Sequence, residues 1–279
     1  MKYTNRASLP DAIVRAVTND GYSKGDADYS VTQLLKPARI VALEKKHAEE
    51  LTEDVSDRIW SLLGQAAHTI AERANHQDIA ERRLTIKVGE ITVSGGMDLY
   101  QEKAGTYFDY KVTSVWKVKN GDFEEWTNQI NLYSVILREN KIDIKNAYVI
   151  AILRDWSKLE ARRDPEYPQS QVSMIPIPLW EPEKALSFMK TRIAVHEAAK
   201  KILPECTIEE MWAKPDVWAV KMTKAGKAVN GGLYAVEDKA KDHANRIGGF
   251  VEYRPGIRTR CEAYCAAAKF CSTFQAVKK

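Results

Sequence analysis

The sequence of 279 residues lacks the features that mark several classes of protein. No apolar run approaches the length that spans a membrane, and the N-terminus shows no secretory signal pattern. We therefore expect a cytoplasmic protein that does not associate with membranes. Internal repeats and low-complexity tracts are also missing, which is typical of an ordinary globular chain.

Cysteine is scarce, and neither sign of charge dominates. Four cysteines in a protein that we expect in the cytosol are not expected to form structural disulfides. Lys and Arg total 42 against 38 acidic residues, which gives a formal net charge of +4. This balance permits nucleic-acid binding without arguing strongly for it. The chain is long enough to bury a good core, as one large domain or as a domain with an appended lobe.

Residues 95–111 are the stretch around which the chain can be interpreted, and their pattern predicts a β-hairpin. Two apolar-rich runs flank a polar turn over 101–105, where Gly105 can adopt a backbone angle that other residues avoid.

Three charged side chains are expected to meet at one rim of this hairpin. Because side chains alternate along a strand, Asp109 and Lys111 should point the same way while Tyr110 points into the core. Asp98 lies near the end of the first strand, beside the start of the second. The sequence therefore predicts two carboxylates and a lysine in one place.

Such a group is suited to a divalent metal. Mg²⁺ or Mn²⁺ prefers oxygen ligands, and two carboxylates leave positions open for water and a substrate phosphate. Lys111 could then position the attacking water or neutralise developing charge. The alternative for this D-x-K triplet is a surface hairpin whose charged side chains are simply solvated.

Two helices flank the hairpin in the sequence. The helix predicted over 54–74 carries Gly64, which would let it approach a neighbour closely, and His68 one turn further along. His68 is either a hydrogen-bonded packing residue or, if the helix packs beside the hairpin, a metal ligand. The apolar face of this helix is expected to comprise Ile59, Leu62, Leu63, Ala66 and Ile70.

The helix predicted over 122–140 places Gln129 and Tyr133 on one face, with Trp126 one turn earlier. These side chains either pack in an amphipathic helix or contact a substrate beside the metal.

The order of the predicted elements indicates an α/β fold with a mixed central sheet flanked by helices. Pro176 and Pro178 limit pairing in the last strand of the sheet, so it should lie at an edge. The strands are expected at 83–88, 91–100, 106–113, 146–154 and 172–177.

Taken together, four short motifs resemble the RecB-type branch of the PD-(D/E)xK nucleases, which includes CRISPR-associated and bacteriophage exonucleases. The resemblance covers about residues 30–154 and implies a restriction-endonuclease-like core. The motifs, in family order, are Gly64-x-x-x-His68, Gly95-x-x-Asp98, Asp109-Tyr-Lys111 and Gln129-x-x-x-Tyr133.

The resemblance also implies roles for the motif residues. His68, Asp98, Asp109 and the backbone carbonyl of Tyr110 would hold the metal, with Asp98, Asp109 and Lys111 as the catalytic residues. Gln129 and Tyr133 would place the substrate strand. Glu81 falls where the family often has an acid.

We expect a nuclease core with N-terminal helices over 1–180 and a mainly helical lobe over 181–279 that carries the cysteines. This lobe should include a helix over 232–246 and a final helix on which Cys261 and Cys265 share a face. The four thiols suffice for a 4Fe–4S cluster or a structural zinc, and the alternative is buried cysteines that pack as small hydrophobes. The ligands would be Cys206, Cys261, Cys265 and Cys271.

The cysteines depart from the arrangement common in the RecB branch. The family's distant cysteine usually lies near the N-terminus, where this chain has none, and the first C-terminal gap is one residue longer here. Cys206 could substitute only if its turn folds beside the final helix.

These observations leave three functions open. The first is a Mg²⁺- or Mn²⁺-dependent DNA exonuclease that acts on single strands or duplex ends in recombination, repair or phage DNA processing, with a recombination or single-strand-binding protein as a candidate partner. The second is a non-catalytic DNA-binding or assembly subunit that keeps the fold. A site-specific endonuclease shares the metal core but not the last motif or the cysteines.

Overall fold

The computed structural model describes residues 1–19, 24–74 and 79–277, with side chains described from Arg82 onward in the strand that begins at Ile79. The chain divides into two compact units. The larger comprises Met1–Ala42 and Ala48–Leu203, and the smaller comprises Leu43–His47 and Pro204–Lys279. The side chain of Glu81, where the resemblance suggested an acid, lies outside the described residues.

The larger unit is a mixed α/β domain. Its strands are β1 Lys2–Thr4, β2 Tyr29–Ser30, β3 Thr52–Asp54, β4 Ile79–Val88, β5 Ile91–Gln101, β6 Thr106–Thr113, β7 Asn146–Leu153 and β8 Val172–Pro176. Its helices are α1 Asp11–Thr18, α2 Val31–Leu35, α3 Ala38–Lys46, α4 Ile59–Ala74, α5 Val115–Lys119, α6 Glu124–Glu139, α7 Lys158–Arg163 and α8 Pro182–Ala199, of which α3 ends among residues counted with the smaller unit.

A six-stranded sheet forms the centre of this unit, in the order β2-β5-β6-β7-β8 with β4 paired to β5. The β5–β6 and β7–β8 pairs are antiparallel and the β6–β7 pair is parallel, so the predicted mixed sheet is confirmed. Helix α6 packs against β4 and β5, and α4 packs against β6. Strand β8 lies at an edge, as Pro176 predicted.

Local signals in the sequence explain two of these elements. Gly105 closes the β5–β6 turn with a φ of +59°, which is costly for residues with a Cβ. Helix α2 begins with a capping box, in which Ser30 Oγ accepts a hydrogen bond from Gln33 N and Gln33 Oε1 accepts one from Ser30 N. Pro37 follows the last turn and prevents its extension.

The predicted apolar face of α4 is wrong in part. Leu63 and Ile70 are 44% and 67% exposed, and no residue of α4 is buried. Ile59 and Leu62 are half-buried as predicted, whereas Ala66 is exposed. In the second half of the helix the half-buried side chains include His68 and Ala71, which are polar or small.

The predicted boundary at 180 also differs from the structure. Helix α8 buries Ala185, Met189 and Ile193 in the hydrophobic core of the larger unit, where it packs against α6 and α2. The division of the chain therefore follows Leu203.

The smaller unit is not mainly helical. Its strands β10 Val217–Lys221, β11 Ala228–Tyr234 and β12 Phe250–Arg254 form an antiparallel sheet against which α9 Glu237–Ile247 packs. The helix predicted over 232–246 begins later, because Gly231 has a φ of +67° and a strand occupies the Gly-Gly pair. Two further strands, β9 Ala213–Lys214 and β13 Ile257–Arg258, pair with each other.

The cysteine-bearing segment is not one continuous helix. Arg260–Tyr264 forms a single wide helical turn, and Cys265 follows it with an extended backbone (φ −102°, ψ 104°). A short turn and the helix α10 Ser272–Val277 complete the chain. Cys261 and Cys265 therefore do not share a helical face as predicted. Among the described helices, none is both long and apolar enough to cross a membrane.

Candidate active site

The candidate site lies where two strands of the central sheet separate. One edge of β5 pairs with β2 at Val93 and Ser94 and with β6 from Leu99 onward, so residues 95–98 lie between the two pairings. Asp98 Oδ2 accepts a hydrogen bond of 2.8 Å from the Tyr110 backbone N–H. The carboxylate thus takes the place of a ladder bond and is held between the strands.

Asp109 is the most deeply buried charged residue of the site, at 2% exposed. Lys111 Nζ lies 2.6 Å from Asp109 Oδ2, and Gln129 Nε2 donates to Asp109 Oδ1 at 3.3 Å. Within the described part of the chain, Oδ2 accepts no hydrogen bond of good geometry, even though it forms this ion pair. A buried carboxylate oxygen in this condition is suited to a further cation.

His68 approaches the site from the opposite face of β6. Its Nδ1 lies 3.4 Å from Asp98 Oδ1, and its ring meets the Tyr110 ring edge-on at 5.8 Å between centroids. Tyr110 is half-buried beside α4, so the prediction that it points into the core is wrong. Asp109 and Lys111 occupy the face toward α6, and alternation along the strand places Tyr110 on the other.

The Asp98 carboxyl is buried close to the charge of Asp109. Burial and the neighbouring charge of Asp109 raise the pKa of Asp98 to about 7, against the smaller opposing effects of His68 and Lys111. Burial opposes the charge of Lys111, but Asp109 and Asp98 outweigh it and raise the pKa of Lys111. The site therefore favours added positive charge when both carboxylates are ionised.

Gln129 reaches the site, whereas Tyr133 packs beneath it. Tyr133 is 5% exposed, and a Cβ on Gly95 would lie 2.6 Å from its Cε1. Only glycine permits this approach, which explains the first residue of the second motif. Trp126 is also buried, stacked on Phe123. These positions favour the packing alternative for Tyr133 and Trp126.

Two residues near the site were missed by sequence reasoning. Glu125 lies one turn before Gln129 on α6, and its charge contributes to the raised pKa of Lys111. Tyr107 is fully buried two residues before Asp109, and burial together with the charges of Asp109 and Asp98 raises its pKa well above the usual value. Spacings of four on a helix and two on a strand could have indicated both.

Gly64 does not have the predicted packing role. Among the described residues, no atom lies within 4 Å of the place where a Cβ on Gly64 would be, so the helix makes no close approach to them there. Gly64 itself is half-buried and lies on α4 between Trp60 and His68.

Among the described residues no disulfide joins the four cysteines, and each is half-buried. Burial raises the pKa of Cys261, and the neighbouring Cys271 adds to this effect. Burial likewise raises the pKa of Cys265, with contributions from Cys261 and Cys271. The three C-terminal thiols are thus close enough to interact electrostatically.

Neither cluster forms a finished metal site as it stands. Across the described residues, no group of three or more His, Cys, Asp and Glu side chains is arranged to hold a metal ion. On the sheet, Lys111 and His68 contact the carboxylate oxygens that an ion would use. The carboxylate oxygens of Asp98 and Asp109 are nevertheless the kind of donor that a hard cation such as Mg²⁺ or Mn²⁺ prefers.

Comparisons with known proteins provide no family for this chain. No family model and no curated protein matches the sequence. The solved structures that resemble it include SSO0001, with 14% identity, 66% of this chain and 82% of that chain covered, and a TM-score of 0.45. Another is a phage related exonuclease from Haemophilus somnus 129PT, with 12% identity, coverage of 72% and 88%, and a TM-score of 0.30. Since both TM-scores lie below 0.5, neither likeness bears on the site.

Proposed function

We propose that this protein is a Mg²⁺- or Mn²⁺-dependent deoxyribonuclease that acts as an exonuclease. The observation that carries the proposal is the convergence of Asp98 and Asp109 with Lys111, whose Nζ lies 2.6 Å from Asp109 Oδ2. Because the charge of Asp109 raises the pKa of the buried Asp98 carboxyl, the site favours a bound cation over mere solvation.

The metal would be held by His68, Asp98, Asp109 and the backbone carbonyl of Tyr110. When bound, the ion polarises a phosphoryl oxygen and lowers the pKa of a coordinated water. Asp98 is restrained for this role by the Tyr110 N–H, and Asp109 by Gln129. The sheet and α6 would therefore hold these two proposed ligands in place in the absence of an ion.

Lys111 would supply the fixed positive charge. The two carboxylates keep its ammonium protonated, so it can stabilise negative charge that develops on the phosphate or orient the attacking water. Glu125, at the start of α6, lies near enough to influence this ammonium. Gln129 holds Asp109 in place and lies on the half-buried side of the helix.

The exonuclease assignment is supported by the sequence resemblance, since Gln129-x-x-x-Tyr133 and the C-terminal cysteines accompany that branch. A non-catalytic DNA-binding subunit would keep the sheet but would not need Asp98, Asp109 and Lys111 together. Their joint presence in one ion-paired group supports the enzyme.

We also propose that Cys206, Cys261, Cys265 and Cys271 bind a 4Fe–4S cluster, with a structural zinc as the alternative. Burial and neighbouring thiols disfavour the thiolate forms of Cys261 and Cys265, and the positive charge of a bound metal would offset this. The residues as placed form no completed ligand set. The proposal is therefore separate from the one for the sheet.

Digestion of DNA tests the proposed function directly. End-labelled linear single strands, linear duplexes and closed circles are incubated with the purified protein and Mg²⁺, Mn²⁺ or EDTA. We expect metal-dependent release of the terminal label and intact circles. Cleaved circles would indicate an endonuclease, and undigested DNA with retained binding would support the non-catalytic subunit.

A further inference from the structure

The exposed face beside the candidate site carries two large aromatic side chains. Trp60 and Trp116 are 58% and 57% exposed, although tryptophan is usually well buried. Trp60 is the second residue of α4, and Trp116 lies on α5 directly after β6. Leaving two indole rings in water is costly unless something stacks on them.

Both rings lie near the end of the sheet at which β6 ends, beyond Asp109 and Lys111 in the direction of the chain. The Arg154 guanidinium lies 4.8 Å from the centre of the Trp60 ring, and its backbone N–H donates to Thr113 O at 3.0 Å. Thr113 is two residues beyond Lys111 on β6, or roughly 7 Å along the strand. Trp60 and Arg154 thus lie at the end of β6 that follows Lys111.

Trp116 is fixed at the same end of the sheet. Asp155, which follows Arg154, accepts hydrogen bonds of 2.7 Å from Ser114 Oγ and from the Val115 N–H. These two bonds join the start of α5 to the end of β7. Trp116 is therefore held by its neighbours in the chain while its ring remains in solvent.

The charge around these rings is positive, although acidic neighbours offset part of it. Arg154 is exposed, and its charge also acts on the adjacent Asp155 carboxylate. Lys119 Nζ lies 5.6 Å from the Trp116 ring, although it also pairs with Asp164. A cation above an exposed ring can bind a phosphate while the ring stacks on a base.

In the part of the chain that the structure describes, the α4 surface between Trp60 and His68 carries no bulky side chain at its midpoint, Gly64. Trp60, Gly64 and His68 follow one another at intervals of four residues on α4, which spans roughly 12 Å. A Cβ at Gly64 would meet no atom within 4 Å. A flexible strand could pass Gly64 from the tryptophans to the site, whereas a paired duplex could not offer its bases for stacking.

We propose that Trp60, Trp116 and Arg154 form a stacking platform that binds single-stranded DNA and directs it into the site. The delivery of a strand to the site rests on the proposed nuclease function, but binding of single-stranded DNA by the platform does not, since binding can occur without cleavage. It makes the protein selective for unpaired strands, because bases inside a duplex cannot reach the rings.

Fluorescence anisotropy in EDTA tests the platform without any cleavage. The probes are a labelled oligo(dT) of about 20 nucleotides and a duplex of the same length, long enough for several stacked bases. Trp60→Ala and Trp116→Ala should each weaken oligo(dT) binding by about tenfold, whereas Trp60→Phe should retain most of it. Binding should also weaken steeply with added salt.

Two further variants separate charge from stacking. Arg154→Ala should weaken binding and reduce its salt dependence, while Arg154→Lys should restore the salt dependence alone. Lys184 on α8 provides the control, because its Nζ also lies beside an aromatic ring, 4.5 Å from the centre of Trp180. Lys184→Ala should leave oligo(dT) binding unchanged. Equal weakening in Lys184→Ala would indicate a general charge effect and overturn the platform.

The outcome for the platform is independent of the outcome for the nuclease. Tryptophan-dependent binding of oligo(dT) without any digestion would retain the platform and reject the enzyme. Metal-dependent digestion with unaltered binding in Trp60→Ala and Trp116→Ala would reject the platform and retain the enzyme. The platform would also be overturned if the protein bound the duplex more strongly than oligo(dT), or if it bound neither probe.

Discussion

At the scale of single residues, the buried Asp98 carboxyl is expected to lower the free energy of unfolding of the metal-free protein when it is ionised. Its pKa of about 7 means that the folded protein holds a proton which the unfolded chain releases near its ordinary value of 3.8. The free energy of unfolding should therefore fall as pH rises from about 4 to about 7, and then stay at the lower level. Binding of a cation would remove this cost.

Replacing Asp98 should consequently stabilise the metal-free protein while abolishing its activity. In EDTA at about pH 8, Asp98→Asn should raise the free energy of unfolding by on the order of 1 kcal/mol, because it removes a buried charge beside Asp109. The gain should be smaller near pH 4, where the wild-type carboxyl is already protonated in the folded state. Urea unfolding at both pH values measures it.

Asp143→Asn is the matched control, since the Asp143 side chain is 76% exposed. It should change stability little at either pH. A fall in stability of Asp98→Asn at alkaline pH would show that the carboxylate is well compensated, contrary to this account.

His68 has two possible roles that one titration separates. As a ligand, its loss should raise the Mn²⁺ concentration for half-maximal cleavage by about tenfold or more, because one donor is removed. Its Nδ1 lies 3.4 Å from Asp98 Oδ1, so His68→Ala also removes a positive influence on that carboxyl. If His68→Ala lowers only the melting temperature, with the same dependence on Mn²⁺, His68 is a packing residue.

At the scale of secondary-structure elements, α8 is joined to β2 by a titratable contact. The Tyr29 hydroxyl donates to Glu197 at 2.7 Å, and Lys200 pairs with the same carboxylate at 2.6 Å. Burial and Glu197 together raise the pKa of Tyr29 to about 12. The folded protein thus keeps a proton that the unfolded chain loses at about pH 10.

Stability should therefore decline between about pH 10 and pH 12 in the wild type. Tyr29→Phe should cost about 1 kcal/mol at neutral pH by losing the hydrogen bond, and its alkaline decline should be shallower. Tyr148→Phe retains Tyr29 and should keep the wild-type decline. Urea unfolding across this pH range measures it, and an identical alkaline slope in Tyr29→Phe would contradict the contact.

The elements also show which parts of the fold could be predicted. The β5–β6 hairpin and α2 follow from Gly105, Ser30 and Gln33, because these residues act on their immediate neighbours. The exposure of Leu63 and Ile70 on α4 and the strand at Gly231 could not be predicted, since packing against the sheets decides both. Periodicity alone predicted that Leu63 and Ile70 would be buried, whereas both are exposed.

The candidate site was predictable for a related reason. Alternation along one strand fixes Asp109 and Lys111 on the same side, and the adjacent strand brings Asp98 beside them. The contact between His68 and Asp98 depends on how α4 lies on β6, which no local signal specifies. Arg154 and Trp60 meet through the same packing and were not identified from the sequence.

At the scale of the whole molecule, the two units divide the proposed chemistry. The carboxylates belong to the larger unit, and all four cysteines belong to the smaller one. The smaller unit has a modest core around Val220, Ala240 and Ala244, so a bound metal would contribute substantially to its folding.

Loss of one proposed cysteine ligand should therefore affect the smaller unit alone. If a 4Fe–4S cluster is bound, the anaerobically purified wild-type protein should be brown. Cys206→Ser should then remove the colour and lower the stability of the smaller unit, while metal-dependent cleavage survives. Absorbance spectra and metal analysis measure this. Unchanged colour and stability would remove Cys206 from the ligand set. Colourless protein with one zinc would favour the zinc site, and protein with no metal would favour plain packing.

The central claim is that Asp98, Asp109 and Lys111 form a metal-dependent hydrolytic site. Single-turnover cleavage of an end-labelled single strand in Mn²⁺ tests it most directly, with Asp109→Asn compared against the exposed Asp143→Asn. We expect Asp109→Asn to fold and to lose at least about 100-fold in rate, because a buried ligand charge is gone, while Asp143→Asn cleaves normally. Wild-type cleavage by Asp109→Asn, or equal cleavage in EDTA, would contradict the account.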